Sequence, residues 1–349
     1  MSLASSPSLL QASIAYKPFN YPWAYEAWLA QQRIHWIPEE VNMADDIKDW
    51  KYNLTNEERH LLTQIFRFFT QMDIDVNNCY MKKYSRIFQP IEVNMMLAAF
   101  SNMETIHIDG YSKLIETVGM PEIEYQAFLQ YKAMKDKHDY MQNFDVDSKE
   151  GIALTLAAFG AFTEGLQLFA SFAILLNFPR FNKMKGMGQI VTWSVRDETL
   201  HVVSMVKLFK TFLNENPEVW NEKLQSRLYE ICENIVRFED AFIDLAFELG
   251  NIHGLTPREV KQYIRYIADR RLLQLGLKEM YLITENPLPW FDEILHGIEH
   301  TNFFENRVTE YARAATKGTW EEVFQAQIDG RADDLMQPTL EIISDDKRP

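Results

Sequence analysis

Two four-residue words, Glu104-Thr105-Ile106-His107 and Glu198-Thr199-Leu200-His201, each set a carboxylate and an imidazole three positions apart. On a helix, positions i and i+3 project from one face about one turn apart, so both side chains reach a single metal ion. Both words lie among apolar residues: Met95 to Phe100 precedes the first, and Ile190-Val191 and Val202-Val203 flank the second. Ionisable groups in such surroundings are costly unless paired or metal-bound. Two facing helices of this kind, with one acid from each of two further helices, make the di-metal carboxylate site of a four-helix bundle. Mixed carboxylate and imidazole ligation with open positions suits iron or manganese, and with them oxygen or redox chemistry.

Spacing alone does not single these words out. Glu57 with His60 and Glu293 with His296 share it. Glu57 sits inside Thr55-Asn56-Glu57-Glu58, which reads as a capping box opening a helix, with Thr55 at the N-cap and Glu58 at N3. Glu293 and His296 follow Pro287-Leu288-Pro289 and precede Gly297, a context for a solvated turn or helix start. Both pairs read as surface residues.

The rest of the chain reads as all-α. Gly and Pro number only 13 each in 349 residues, few for a β fold, and 47% hydrophobic content suffices for a large core. Helical period predicts segments over 55–88, 91–118, 121–141, 150–177, 186–214, 217–249 and 257–284, with a shorter one over 302–315. Thr256-Pro257-Arg258-Glu259 is another capping box with proline at the first helical position. Three regions follow: 1–50, an aromatic and proline-punctuated segment with a short helix lying over the body; 51–324, the helical domain; and 325–349, a polar acidic tail expected to be mobile in isolation.

A net charge of −15 argues against nucleic acid as the main ligand. Two cysteines without paired spacing, Cys79 and Cys232, point to a reducing cytoplasm rather than a disulfide framework. No basic region followed by an apolar core opens the chain, and the most apolar stretch, Gly151 to Phe178, is interrupted by Glu164, so neither a secretory signal nor a membrane span is expected.

Glu164 is the only charged residue between Gly151 and Pro179. Beside two Glu-x-x-His helices, a ligand role is favoured over a protonated core oddity or a transport-like site. The fourth acid belongs on the first long helix, where Asp73 and Asp75 compete. Two residues apart they point about 200° from one another, and stepping from Leu62, Phe66 and Phe69 by threes and fours lands on Asp73. Asp75 then reads as a solvated or interhelical hydrogen-bonding residue. Four carboxylates and two histidines carry a ligand charge of about −4, matched by two divalent cations. Tyr111, four residues after His107, lies on the same helical face within reach of the metal edge. Spacing leaves it either a core tyrosine or a side chain that an adjacent oxidising centre converts to a radical.

These words together resemble the radical-generating small subunit of class I ribonucleotide reductase. Glu104-Thr105-Ile106-His107-Ile108-Asp109-Gly110-Tyr111 is similar to the family's Glu-x-x-His with its radical tyrosine four residues on, and Arg196 to His201 is similar to its Arg-Asp-Glu-x-x-His word. Glu164 to Phe172 resembles the segment of the third-helix Glu. Asp73, 31 residues before Glu104, has a separation compatible with the first ligand, and Trp36-Ile37-Pro38-Glu39-Glu40-Val41 resembles an N-terminal Trp-x-Pro-Glu-Glu segment. The match runs from about residue 20 to 324.

The resemblance implies a ferritin-like helical homodimer holding two metal ions per chain, iron first, with manganese or a mixed pair accepted by the same ligands. Oxygen activation there would store a radical on Tyr111, and Asp197 with Trp36 would begin its transfer to a separate large catalytic subunit that reduces ribonucleotides. Docking would use the C-terminal tail, whose apolar points are Leu335, Met336, Leu340 and Ile342-Ile343. One departure stands out: the family's tail tyrosine has no counterpart, the last tyrosine being Tyr311. The alternative on the same scaffold is a di-iron oxidase or hydroxylase acting on an organic substrate, in which Tyr111 and the tail would have no necessary role.

Overall fold

The computed structural model describes residues 7–13 and 15–297. The expected helix over 302–315 and the acidic tail lie outside them. Among the described residues there is no strand beyond a single bridge between Ile252 and Leu255, so the fold is all-α as expected.

Four long helices enclose the centre. Helix α3 runs Asn56–Cys79, after α1 (Pro22–Arg33) and the short α2 (Ala44–Lys48). Its start is the expected box: Thr55 Oγ1 accepts from Glu58 N, and Glu58 Oε2 accepts from Thr55 N. Helix α4, Ile91–Val118, ends where Gly119 takes φ 77°, a left-handed cap that glycine adopts without strain. After α5 (Lys132–Met141) comes α6, a continuous rod of Lys149–Leu156, a wider π segment Ala157–Gln167, and Leu168–Leu176. Helix α7, Lys185–Glu215, follows. Its first N–H groups, which no helical carbonyl can satisfy, are met by Asp46 from α2: Oδ2 accepts from Gly186 N and Oδ1 from Met187 N. Helices α3 and α4 pack together, α6 and α7 pack together, and contacts of α4 with α7 and of α3 with α6 close the ring.

Helices α8 (Glu222–Ala246) and α9 (Pro257–Gln274) back this ring against α6, and α1 lies along α4. The apolar rod α6 is long enough and apolar enough to cross a membrane by composition, yet its whole apolar window is buried inside the protein.

Three expected helices come out shorter, among them the segment over 217–249, where a tight turn at Pro217–Val219 precedes a helix of Glu222–Ala246. The segment over 121–141 is broken by a tight turn at Phe128–Gln130 before α5 begins at Lys132. The segment over 257–284 stops at Gln274, because Gly276 turns to φ 87° and Asp269 captures the following chain. Asp269 Oδ1 accepts from Met280 N and Tyr281 N, and Oδ2 from Ile283 N. A side chain thus replaces the helical carbonyls those N–H groups would otherwise need.

Away from the centre, Lys137 of α5 and Glu239 of α8 form a fully buried ion pair, Nζ to Oε1 2.5 Å. The ammonium also lies 4.9 Å from the Phe68 ring centroid and 4.7 Å from that of Phe242. Glu239→Ala strands that charge among hydrocarbon and should cost about 3–5 kcal/mol in denaturant unfolding. The double change Lys137→Met with Glu239→Leu should recover most of it; a single variant as stable as the parent would contradict this account.

Candidate metal centre

Each of the four ring helices delivers side chains to one buried point. Asp73 comes from α3, Glu104 and His107 from α4, Glu164 from the π segment of α6, and Glu198 and His201 from α7. All six are at most 1% exposed. The two histidines are interlaced by two acids. Glu104 sets Oε1 3.2 Å from His201 Nδ1 and Oε2 3.7 Å from His107 Nδ1. Glu198 does the converse, Oε1 3.2 Å from His107 Nδ1 and Oε2 3.4 Å from His201 Nδ1. Glu104 and Glu198 therefore each face both imidazoles. Asp73 groups with Glu104 and His107 at one end, and Glu164 groups with Glu104, Glu198 and His201 at the other.

This arrangement offers donors suited to two cations. Six carboxylate oxygens here are buried without a hydrogen-bond partner: Asp73 Oδ2, both of Glu104, both of Glu198, and Glu164 Oε2; His201 Nδ1 is likewise unpartnered. Unpartnered carboxyl oxygens in a dry interior are tolerable only when a proton or a cation neutralises the group. The electrostatics agree. Burial pushes the Glu164 carboxyl up to about 8, His201 pulling the other way and Glu198 adding repulsion. Burial likewise pushes Asp73 well above the usual carboxylate range, with Glu104 adding to it.

The outward imidazole nitrogens are fixed by partners. Asp197 Oδ2 lies 3.2 Å from His107 Nε2 and accepts from Trp36 Nε1 at 2.8 Å. Asp197 Oδ1 accepts from Gln31 Nε2 at 3.1 Å, which turns Gln31 Oε1 to His201 Nε2 at 3.2 Å. A carboxylate and an amide oxygen only accept, so both Nε2 atoms carry the proton and both Nδ1 lone pairs point into the cage. Trp36 stacks 6.0 Å from His107 and 5.2 Å from Trp193, ring centre to ring centre.

Tyr111 is buried on the same side of α4, but its hydroxyl donates to Ser194 Oγ of α7, 2.8 Å away, not to a carboxylate. Phe69 meets its ring edge-on at 4.6 Å, and Phe172 stands behind Phe69. Asp75 turns away: it bonds to His138 of α5, Oδ2 to Nδ1 2.8 Å. Glu293 and His296 are exposed, and Glu57 and His60 sit half-buried at the start of α3, apart from the cluster.

Sequence reasoning missed four residues that shape the site. Gln31, Ser194 and Tyr80 carry no local signal. Arg271 of α9 is half-buried, its guanidinium is lowered to about 10 by desolvation, and its Nε–H donates to the Gly165 carbonyl at 2.7 Å. That bond occupies a carbonyl of the π segment next to Glu164, and a Cβ on Gly165 would lie 2.6 Å from Arg271 Nε. The position admits only glycine without displacing the arginine.

Residues 13–287 match the family model described as ribonucleotide reductase, small chain. The chain belongs to that family. It is 44% identical to the probable ribonucleoside-diphosphate reductase small subunit 376L of Invertebrate iridescent virus 6, over 91% of this chain and 99% of the relative. It is 33% identical to the ribonucleoside-diphosphate reductase subunit beta of Chlamydia pneumoniae, over 85% and 89%. The ribonucleotide reductase R2 subunit from Clostridium botulinum has the same fold, with a TM-score of 0.75 at 24% identity over 81% of this chain and 90% of that one. The small subunit is thus one half of a ribonucleotide reductase, partnered by a large subunit, and the oxidase alternative is not favoured.

Proposed function

We propose that this small subunit generates and stores the radical that its large subunit uses to reduce ribonucleoside diphosphates. The observation that carries this reading is the pair of acids, Glu104 and Glu198, that each face both histidines with their oxygens unpartnered. Asp73 with His107 would hold one ion, Glu164 with His201 the other, and Glu104 and Glu198 would span them. Iron is the first candidate, and manganese or a mixed pair suits the same oxygen and nitrogen donors. Such a pair supplies oxygen activation and a one-electron oxidation of a neighbouring side chain.

The protein's own groups do the rest. Tyr111 is the side chain to be oxidised, and Ser194 Oγ, which accepts its hydrogen bond at 2.8 Å, holds the hydroxyl in place. Phe69 and Phe172 keep water from the ring, which lengthens the life of a radical there. Asp197 holds the His107 ring and the Trp36 indole on one carboxylate oxygen, so the hydrogen-bonded path from ligand to Trp36 is continuous. The resemblance of Trp36 and Asp197 to the family's transfer residues supports the direction of that path. The acidic tail would dock the large subunit, a homodimer is the assembled form, and the cytoplasm is its compartment; the buried free thiols of Cys79 and Cys232 accord with the last.

Trp36→Phe tests the path. It keeps an aromatic ring and removes the N–H that Asp197 accepts. Two metals per chain should remain, while turnover with the large subunit should fall roughly 100-fold, because the N–H that joins Trp36 to Asp197 is gone. Undiminished turnover would remove Trp36 from the route.

A further inference from the structure

Where α3 ends at Cys79, the chain continues through a wider turn, Tyr80–Tyr84, and this turn sends two tyrosine hydroxyls inward. Their partners differ. Tyr84 Oη donates to the Thr155 carbonyl at 3.0 Å, the ordinary solution for a buried phenol. Tyr80 Oη donates to Glu164 Oε1 at 2.6 Å, a short bond to one of the acids of the metal cluster. Tyr80 is 2% exposed, and its ring is held edge-on by Tyr84, Phe100 and His201 at 5.8, 6.2 and 6.3 Å between ring centres. The hydroxyl has no room to swing away.

Glu164 is therefore engaged differently from the two spanning acids. Glu104 and Glu198 have neither oxygen engaged by a hydrogen bond, whereas Glu164 has Oε1 taken and Oε2 free. A carboxylate oxygen keeps a second lone pair while it accepts one hydrogen bond, so a fixed donor holds the group's pose without removing it as a ligand.

We propose that Tyr80 is a positioning residue for the ion at the His201 end: its hydroxyl fixes the Glu164 carboxylate in the pose that sets Oε1 3.6 Å from His201 Nδ1 and leaves Oε2 unpartnered. This rests on the two-ion reading of the cage, and the test separates the two.

The full-length chain, its Tyr80→Phe variant and a Tyr84→Phe control are titrated with Co(II) without oxygen, following heat release and visible absorption. Parent and control should take up two ions per chain with the same two affinities. Tyr80→Phe should also take up two, with one step weakened about tenfold, as losing an outer partner of a ligand predicts. The other step should stay within about twofold. The absorption of the weakened ion should change as Glu164 loses its fixed pose. Unchanged steps and an unchanged spectrum in Tyr80→Phe would overturn the assignment. So would equal weakening of both steps together with a lower melting temperature of the metal-free variant, because that is the mark of a packing role. A parent chain that binds fewer than two ions would instead sink the cage reading, and the Tyr80 assignment with it.

Discussion

Tyr111→Phe should leave two metal ions bound per chain and remove both the tyrosyl radical signal and ribonucleotide reduction. The substitution deletes only the hydroxyl that donates to Ser194; the ring still fills its place against Phe69. None of the six cage residues bonds to that hydroxyl, so metal uptake has no reason to change. Protein loaded with ferrous iron and exposed to air is examined by electron paramagnetic resonance, and turnover is followed with the large subunit. Loss should be complete within detection, since no intermediate strength of interaction replaces a missing radical site. A signal of the same shape in the variant would place the radical elsewhere.

The second large effect separates spanning acids from terminal ones. Glu104→Ala withdraws an oxygen from each histidine, 3.2 Å from His201 and 3.7 Å from His107, and should abolish tight binding of both ions. Glu164→Ala withdraws a ligand from the His201 end only and should lower the count towards one ion per chain. Each lost carboxylate also removes a negative charge that balances the cations, so the affinity losses should exceed roughly 100-fold, beyond what outer partners cost. Metal analysis after gel filtration decides the matter. Two ions retained by Glu104→Ala would exclude it from the cage, and equal losses in both variants would erase the distinction drawn here.

Much of the fold was legible because helix formation is written locally. Capping boxes at Thr55 and Thr256 and the apolar period mark helix starts with little ambiguity. Helix ends were less legible. The pattern after Gln274 still reads as helix, and only the capture of Met280, Tyr281 and Ile283 by Asp269 shows why it is not. The break before Lys132 is of the same kind, a turn whose Phe128 packs on Phe68 with ring centres 5.9 Å apart.

For the centre, the sequence by itself determined which side chains are candidates. An i, i+3 pairing of Glu with His in apolar helices, a lone Glu164 in an uncharged rod, and the choice of Asp73 over Asp75 all follow from helical period, and the structure brings these six residues together. The reason is physical: period decides which face of a helix a residue occupies, and charge in an apolar face demands a partner. What only the tertiary structure decided is how each atom is engaged. Glu104 and Glu198 each face both imidazoles, Gln31 and Asp197 set the histidine tautomers, Arg271 holds the wide turn beside Glu164, and Tyr80 ties down one of its oxygens. Those partners stand from 84 to 170 residues away along the chain, and no local pattern encodes a contact made only when separate helices pack.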